Sequence, residues 1–326
     1  MRRRDFTIGL LLATAARPVP AQKRAKRHRV AIIVSRPVAL IDDSPVFQTL
    51  FEELRRLGLV EGQSLTIERY SGGGQPEGYA DLAREVVNHK PEVIVAGTNP
   101  IALAVRAASG TTPIVWIGVE GIRAGLAVSL AHPGGSITGV DMNDYEVWGK
   151  RLQILKEAVP PASKVAFLLP RGSWELNGER LREMSRRLAI SLVGMPVEES
   201  TRPNIQRAFA EIAQERPDAM IVHDIGDLLN QRRLIVELVE NSRLPAMFGA
   251  REFVEVVGLM AYQADQGEVG RRVASDAHQI LNGANPGAIP IYQASKFVFV
   301  INLKAAKAIG LTVPPSLLGL ADGVIE

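Results

Sequence analysis

Short apolar runs alternate with amphipathic segments along most of the chain. Val30-Ala31-Ile32-Ile33-Val34-Ser35 is a continuous run rich in β-branched residues, as expected of a strand buried on both faces. Ser44-Pro45 supplies an N-cap followed by proline at the first helical position. Val46, Phe47, Leu50, Phe51, Leu54 and Leu57 then share one helical face, and Gly58 stops the helix. The spacing goes on to predict a strand over 65–68, a helix carrying Tyr79, Leu82, Ala83, Val86 and Val87, a strand over 93–97, a helix about 101–108 and a strand over 113–117. Strand and helix alternate with short connections, the signature of βαβ units in a parallel sheet.

The pattern then restarts. After 136–140 comes an amphipathic helix ending near Val159-Pro160-Pro161. Strands over 164–169, 191–193, 219–223, 245–248 and 258–262 follow, with helices near 179–188, 205–214 and 228–240 between them. Val269, Val273, Ala277 and Ile280 lie on one face of a later helix, and 289–292 is a short extended piece. The repeated element order predicts an α/β chain of two similar Rossmann-like lobes, each with a doubly wound parallel sheet. Such lobes suit a ligand held in a cleft across a hinge.

Composition narrows the classes. The 326 residues are 46% hydrophobic, which suits two packed domains and excludes a largely disordered chain. Absence of cysteine excludes a disulfide scaffold, thiolate metal sites, a thiol nucleophile and a lipid anchor on cysteine. The net charge is +3 and the sequence pI about 9.2. The excess sits at the N-terminus. Residues 1–21 hold four arginines and one aspartate, and 22–29 add five basic residues, so the chain from Val30 onward is at −5. The basicity therefore gives no support to a nucleic-acid partner. Arg2-Arg3-Arg4, the apolar stretch from Thr7 to Ala16 and Val19-Pro20-Ala21 have the three parts of an export signal, and Arg3-Arg4-Asp5-Phe6 fits a twin-arginine pattern. The ten-residue apolar stretch is too short to span a bilayer. Residues 1–21 are expected to be a signal peptide, 22–29 a basic tail, and the remainder an exported protein that does not itself span the membrane.

Catalytic constellations are missing. The five histidines are scattered, and no two fall at i,i+4 as a helical metal site needs. There is no G-x-S-x-G elbow, and Gly149-Lys150 lacks the preceding glycine of a phosphate-binding loop. Gly72-Gly73-Gly74 fits a flexible turn better than a dinucleotide fingerprint. No nucleophile, base and orienting group assemble. Neither an enzyme nor a cofactor or metal is expected.

From Val30 to the C-terminus the chain resembles the ABC transporter substrate-binding family of tryptophan/tyrosine-type periplasmic binding proteins. The resemblance is carried by Leu54-Arg55-Arg56-Leu57-Gly58-Leu59-Val60-Glu61-Gly62, by Ala131-His132-Pro133-Gly134-Gly135-Ser136-Ile137-Thr138-Gly139, by Trp148-Gly149-Lys150-Arg151-Leu152, and by Phe253-Val254-Glu255 with Gly258-Leu259-Met260-Ala261-Tyr262. It is closest at Lys296-Phe297 and over 301–318. It implies a type I periplasmic-binding fold with three crossovers: lobe one over 30–140 plus 264–285, lobe two over 141–263 plus 286–326, and hinges at Val140-Asp141, Gln263-Ala264 and Pro286-Gly287. It also implies a monomeric periplasmic receptor that delivers a small organic solute, amino-acid-like in character, to an ABC permease and its ATPase. The alternative is an exported sensing module that presents a small molecule to a membrane signalling partner. Glu120-Gly121, Gly97-Thr98-Asn99-Pro100, Ala261-Tyr262-Gln263, Arg171-Gly172-Ser173-Trp174 and Asp224-Ile225-Gly226 depart from the family pattern. The scaffold is thus better defined than its specificity.

In open parallel sheets ligands sit beyond the carboxyl ends of the strands. In lobe one this selects Ser35, Thr98, Asn99 and Glu120, and in lobe two Arg171, Trp174, Asp224 and Tyr262. Thr98 and Asn99 precede a helix, where they either bring N–H groups to a carboxylate or serve as a plain N-cap. Glu120 suits an ammonium group or a solvated loop. Arg171 suits a bidentate carboxylate or an ordinary surface. Trp174 suits stacking on a ring or core packing. Tyr262 matches the family's position. Asn143, with Asp141, lies by a hinge and either shapes the pocket or caps the next helix, while Trp116, inside a strand, is expected in the core.

Overall fold

A computed structural model describes residues 27–142, 144–223 and 226–326; the proposed leader, Asn143 and Asp224 lie outside the described residues. The strands are β1 (His28–Val34), β2 (Leu65–Ser71), β3 (Val93–Ala96), β4 (Ile114–Gly118), β5 (Ile137–Asp141), β6 (Lys164–Pro170), β7 (Ser191–Val197), β8 (Ala219–Val222), β9 (Ala246–Phe248), β10 (Met260–Ala264), β11 (Tyr292–Gln293), β12 (Phe297–Asn302) and β13 (Gly323–Ile325). The helices are α1 (Pro45–Arg56), α2 (Tyr79–Asn88), α3 (Asn99–Ala108), α4 (Asp144–Ala158), α5 (Arg171–Arg186), α6 (Arg202–Glu215), α7 (Gly226–Asn230), α8 (Arg232–Ser242), α9 (Arg251–Val254), α10 (Gln266–Leu281), α11 (Leu303–Ala308) and α12 (Pro315–Leu320).

Two sheets result. The first runs β11-β5-β4-β3-β1-β2 with every pairing parallel. The second runs β13-β12-β10-β9-β8-β6-β7 and is parallel except between β10 and β12. This is the two-lobed α/β architecture that the repeated element order predicts. The apolar runs that predicted central strands are buried: every residue of β3, β4 and β8 lies in the interior. Helices cover both faces of each sheet, as parallel strands require. On the first lobe, α1 buries Val46, Phe47, Leu50 and Leu54, each contributing roughly 2 kcal/mol, and packs on α10 through Val269 and Val273. The two helices approach closely because Gly270 has no side chain; a Cβ there would overlap the Val46 carbonyl oxygen.

The chain leaves the first sheet after β5, returns after β10, and leaves again after β11. The last crossing corrects the expected hinge at Pro286-Gly287. Residues 286–293 stay on the first lobe. The Gly134 amide donates to the Gly287 carbonyl at 3.1 Å, Thr138 Oγ1 to the Ile289 carbonyl at 2.8 Å, and β11 pairs with β5. The end of the extended run expected over 289–292 thus enters the two-residue edge strand β11, and the crossing falls between Gln293 and Phe297. This fixes the direction of β12. Because β10 ends at the hinge and β12 begins there, β12 must run back along β10, with Ala264 opposite Phe297 and Met260 opposite Ile301. The antiparallel pair departs from the wholly parallel sheet expected of lobe two. Two further differences affect the site. The second-lobe helix expected from 179 starts at Arg171, and the helix expected over 228–240 is two helices joined at Gln231.

Candidate functional site

The carboxyl ends of β1, β3 and β4 form one edge. The Gly97 amide donates to the Ile33 carbonyl at 2.9 Å, which fastens the end of β3 to β1 and sets Gly97 against Val34, one residue short of Thr98 and Ser35. Ser35 is 8% exposed. Thr98 is the N-cap of α3, its Oγ1 accepting from the Ile101 amide at 3.4 Å, so its hydroxyl serves the helix start. Asn99 braces the loop after β4. Its Oδ1 accepts from Trp116 Nε1 at 3.0 Å and from the Val119 amide at 3.4 Å, and its Nδ2 donates to the Val119 carbonyl at 2.8 Å. Trp116 is fully buried, as its strand position predicts. The Asp141 carboxylate accepts from the Gly121 amide at 3.1 Å and holds the same loop from the hinge side.

Glu120 stands in that loop at φ +48°, a left-handed conformation that is strained for a residue with a side chain. Its carboxylate meets the guanidinium of Arg180 on α5 of the opposite lobe, with Arg123 at 3.8 Å. Arg123 also crosses, donating to the Leu176 carbonyl at 2.7 Å and to Asn177 Oδ1 at 3.3 Å. Arg180 lies 4.1 Å from the centroid of the Tyr145 ring. Glu120, Arg123 and Arg180 thus form a clasp between the lobes.

The second-lobe edge is organised by Arg151 on α4. This arginine is 1% exposed, donates to the Tyr262 carbonyl at 2.7 Å and to the Gly249 carbonyl at 2.8 Å, and lies 4.2 Å from the Trp148 ring centroid. These two carbonyls, one within β10 and one just past β9, and the aromatic face offset part of the cost of burying its charge. His223, following β8, packs against Trp148 and Phe167 with centroids at 4.9 Å and 6.3 Å. Tyr262, half-buried on β10, stacks on Phe297 at 5.6 Å across the β10–β12 pair. Burial pushes its hydroxyl above the usual phenolic pKa, with Arg151 pulling down and Asp322 pushing up.

The structure brings Ser35, Thr98 and Asn99 together, and puts Glu120 on the rim. Arg171 and Trp174 do not join them. Both lie on α5 and not in a loop; Arg171 pairs with Glu198 on the surface, and Trp174 packs over Gly178 and Gly194 with Arg182 at 4.4 Å from its ring. Strand-end logic missed Arg123, Arg151 and Arg180, none of which stands at the carboxyl end of a strand. Among the described residues no cluster of His, Cys, Asp and Glu could hold a metal, and no helix is long and apolar enough to cross a membrane.

The comparisons with known proteins agree with this architecture. A family model described as "ABC transporter substrate binding protein" matches residues 30–325. A curated relative named "Tyrosine-binding protein", from Clostridioides difficile, is 22% identical over 259 residues, covering 78% of this chain and 73% of the relative. The structure of a conserved domain protein from Vibrio cholerae superposes with a TM-score of 0.85 at 24% identity, covering 92% of this chain and 100% of that one. A Streptococcus pneumoniae ABC domain in complex with L-Trp superposes with a TM-score of 0.83 at 21% identity, again over 92% and 100% of the two chains.

Proposed function

Because the chain belongs to the ABC transporter substrate-binding protein family, we propose that it is the periplasmic receptor of an ABC importer, closing two lobes on a small amino-acid-like solute and presenting it to a membrane permease. The family is one of solute-binding proteins and not of enzymes. One observation carries the proposal: two α/β lobes, connected by three crossings, turn the strand ends at Ser35 and Thr98 toward a second lobe that already reaches across through Arg180. A ligand that touches both lobes stabilises their closed arrangement over the open one, and a permease can read that difference. The relatives named for tyrosine and bound to L-Trp support an amino-acid-like solute. The arginine-led leader over 1–21 supports export, and a monomer fits a hinge that needs no partner subunit.

Ser35, Thr98 and Tyr262 are assigned to the ligand, with Asn99 and Glu120 positioning the loop beside it. Asn143 and Asp224 retain their assignments by place in the chain. The exported, processed protein is to be screened by thermal shift against amino-acid, aromatic and carboxylate libraries. A stabilising solute that also contracts the radius of gyration in X-ray scattering is the expected outcome. No shift from any library would remove the transport role.

A further inference from the structure

Glu268 stands in the first turn of α10, three residues after the N-cap Asp265. A glutamate at that position ordinarily turns back to accept from the N-cap amide and complete a capping box. Here that amide is already taken: the Asp265 N–H donates to the Lys296 carbonyl at 2.9 Å. The Asp265 side chain caps the helix, accepting from the Glu268 amide at 3.0 Å. The Glu268 carboxylate reaches away from the helix instead. Its Oε1 accepts from the Tyr292 hydroxyl at 2.5 Å, and its Oε2 accepts from the Lys296 amide at 3.2 Å.

Tyr292 and Lys296 lie on either side of the third crossing. Tyr292 belongs to β11, which pairs with β5 of the first lobe. Lys296 immediately precedes β12, whose first residue, Phe297, pairs with Ala264 of the second lobe. The helix that carries Glu268 packs on the first lobe through Val269 and Val273. One carboxylate thus extends from a first-lobe helix to both ends of the segment that leads into the second lobe. The rest of that segment is tied as well. The Ala294 amide donates to the Asp141 carbonyl at 2.8 Å, at the first crossing, and Ser295 Oγ lies 2.9 Å from the Tyr292 hydroxyl. Lys296 Nζ pairs with Asp265 at 2.6 Å, at the second crossing. Arg272, one turn along α10, donates to the Pro290 carbonyl at 3.2 Å and lies 5.5 Å from the Tyr292 ring centroid, so α10 places this tyrosine twice. The bond to Glu268 holds the Tyr292 hydroxyl above the usual phenolic pKa, with Ser295 opposing the shift and burial adding to it.

We infer that Glu268 is a positioning residue of the hinge: it latches the third crossing to the first lobe and holds the lobes in the arrangement clasped by Glu120, Arg123 and Arg180. Rotation of the second lobe away carries Lys296 with β12. The hydrogen bond from the Lys296 amide to Glu268 is therefore the one of the pair that spans the moving boundary, and a carboxylate makes it stronger than a neutral acceptor would. The inference rests on the lobe closure proposed above and adds where that closure is held. No solute enters it.

The chain has no cysteine, so a pair of introduced cysteines reports the clasped arrangement without background. Ile122→Cys and Leu176→Cys are combined; both side chains are exposed, and Arg123, next to Ile122, already donates to the Leu176 carbonyl. The initial rate of cross-linking by a short bifunctional maleimide is measured on the exported, processed protein without ligand. Glu268→Gln keeps one acceptor oxygen and removes the other together with the charge. It is expected to slow cross-linking roughly tenfold, while a monofunctional maleimide labels each single cysteine at the parent's rate. Tyr292→Phe, which loosens the carboxylate without removing it, should slow cross-linking less. Lys296→Met removes a largely exposed ammonium and leaves the amide on Glu268, so its rate should stay within about twofold of the parent's. Rates within about twofold of the parent's for both Glu268→Gln and Tyr292→Phe overturn the latch. So does an equal slowing by Lys296→Met, or a parent that does not cross-link. If Glu268→Gln fails to fold, Tyr292→Phe against the parent decides. The receptor role is decided separately by the library screen.

Discussion

The carboxylate of Glu120 in the first lobe receives the guanidinium of Arg180 in the second, and the two residues hold opposite walls of the cleft against each other. Glu120 is the less exposed partner, and it adopts the left-handed backbone that turns its side chain outward to the other lobe.

Glu120→Gln should therefore loosen the pair of lobes without disturbing either core. A partly exposed ion pair is worth about 0.5–1 kcal/mol, so affinity for a bound solute should fall roughly two- to fivefold. Arg180→Ala should do the same, and the double variant should be no worse than either single one. Calorimetry on this double-mutant cycle is the measurement. Additive losses would show that the two residues act separately.

Asn99→Ala should act on the loop. It would leave the buried indole N–H of Trp116 and the carbonyl of Val119 without partners. Each orphaned group costs about 1–3 kcal/mol. Urea denaturation should show a loss of roughly 2–4 kcal/mol, together with weakened solute binding from displacement of the loop that carries Glu120.

Gly270→Ala should destabilise the first lobe selectively. The added methyl would push against the Val46 carbonyl where α1 and α10 cross. Overpacking of this kind costs about 1–3 kcal/mol. Hydrogen exchange should speed up in α1 and α10 and remain unchanged in β6 and β8 of the second lobe.

Asp276 predicts a pH dependence. The residue is fully buried on α10, and Arg272 lies 3.1 Å away but out of hydrogen-bonding alignment. Burial pushes the carboxyl up to about 7, with Arg272 pulling it partly back. The folded state thus holds this proton more tightly than the unfolded chain, whose carboxyl titrates at 3.8. The stabilising contribution is complete below that pH, declines as the pH rises, and is lost above about 7. Asp276→Asn should flatten this dependence and raise the melting temperature at pH 8, the ceiling being about 4 kcal/mol. Equal melting of the two proteins at pH 8 would show that Arg272 fully compensates the charge.

The periodicity of the sequence reported the strands and helices that bury themselves by local pattern, among them β1, β3, β4, β6, β8, α1 and α10. It reported less where tertiary context decides. Residues 171–178 contain two glycines and four polar residues, and they are helical because Trp174 packs down on Gly178 and Gly194. β12 reads like any strand, but its direction follows from where the chain crosses, which no local pattern encodes. The same limit applies to the cleft. Strand ends located Ser35 and Thr98, since both follow apolar runs. Arg123 and Arg180 join the clasp through groups of the other lobe more than fifty residues distant in sequence, Arg123 at Leu176 and Asn177 and Arg180 at Glu120. Asn99 looked like a cap or a ligand contact, and its amide is engaged by Trp116, a partner hidden inside a strand.

The threefold crossing bears on how the chain comes to be folded. Neither lobe is a continuous piece of chain. The first waits for Val269 and Val273 of α10 to seal its core and for β11 to cover the edge of β5, and these arrive only after β6 to β10 have been made. The second waits for β12 and β13, at the far end. A chain still being synthesised therefore holds two unfinished sheets with open edges, and both are completed within the last stretch of residues. Maturation is one late, joint event across the whole molecule, and not the release of a finished first domain followed by a second.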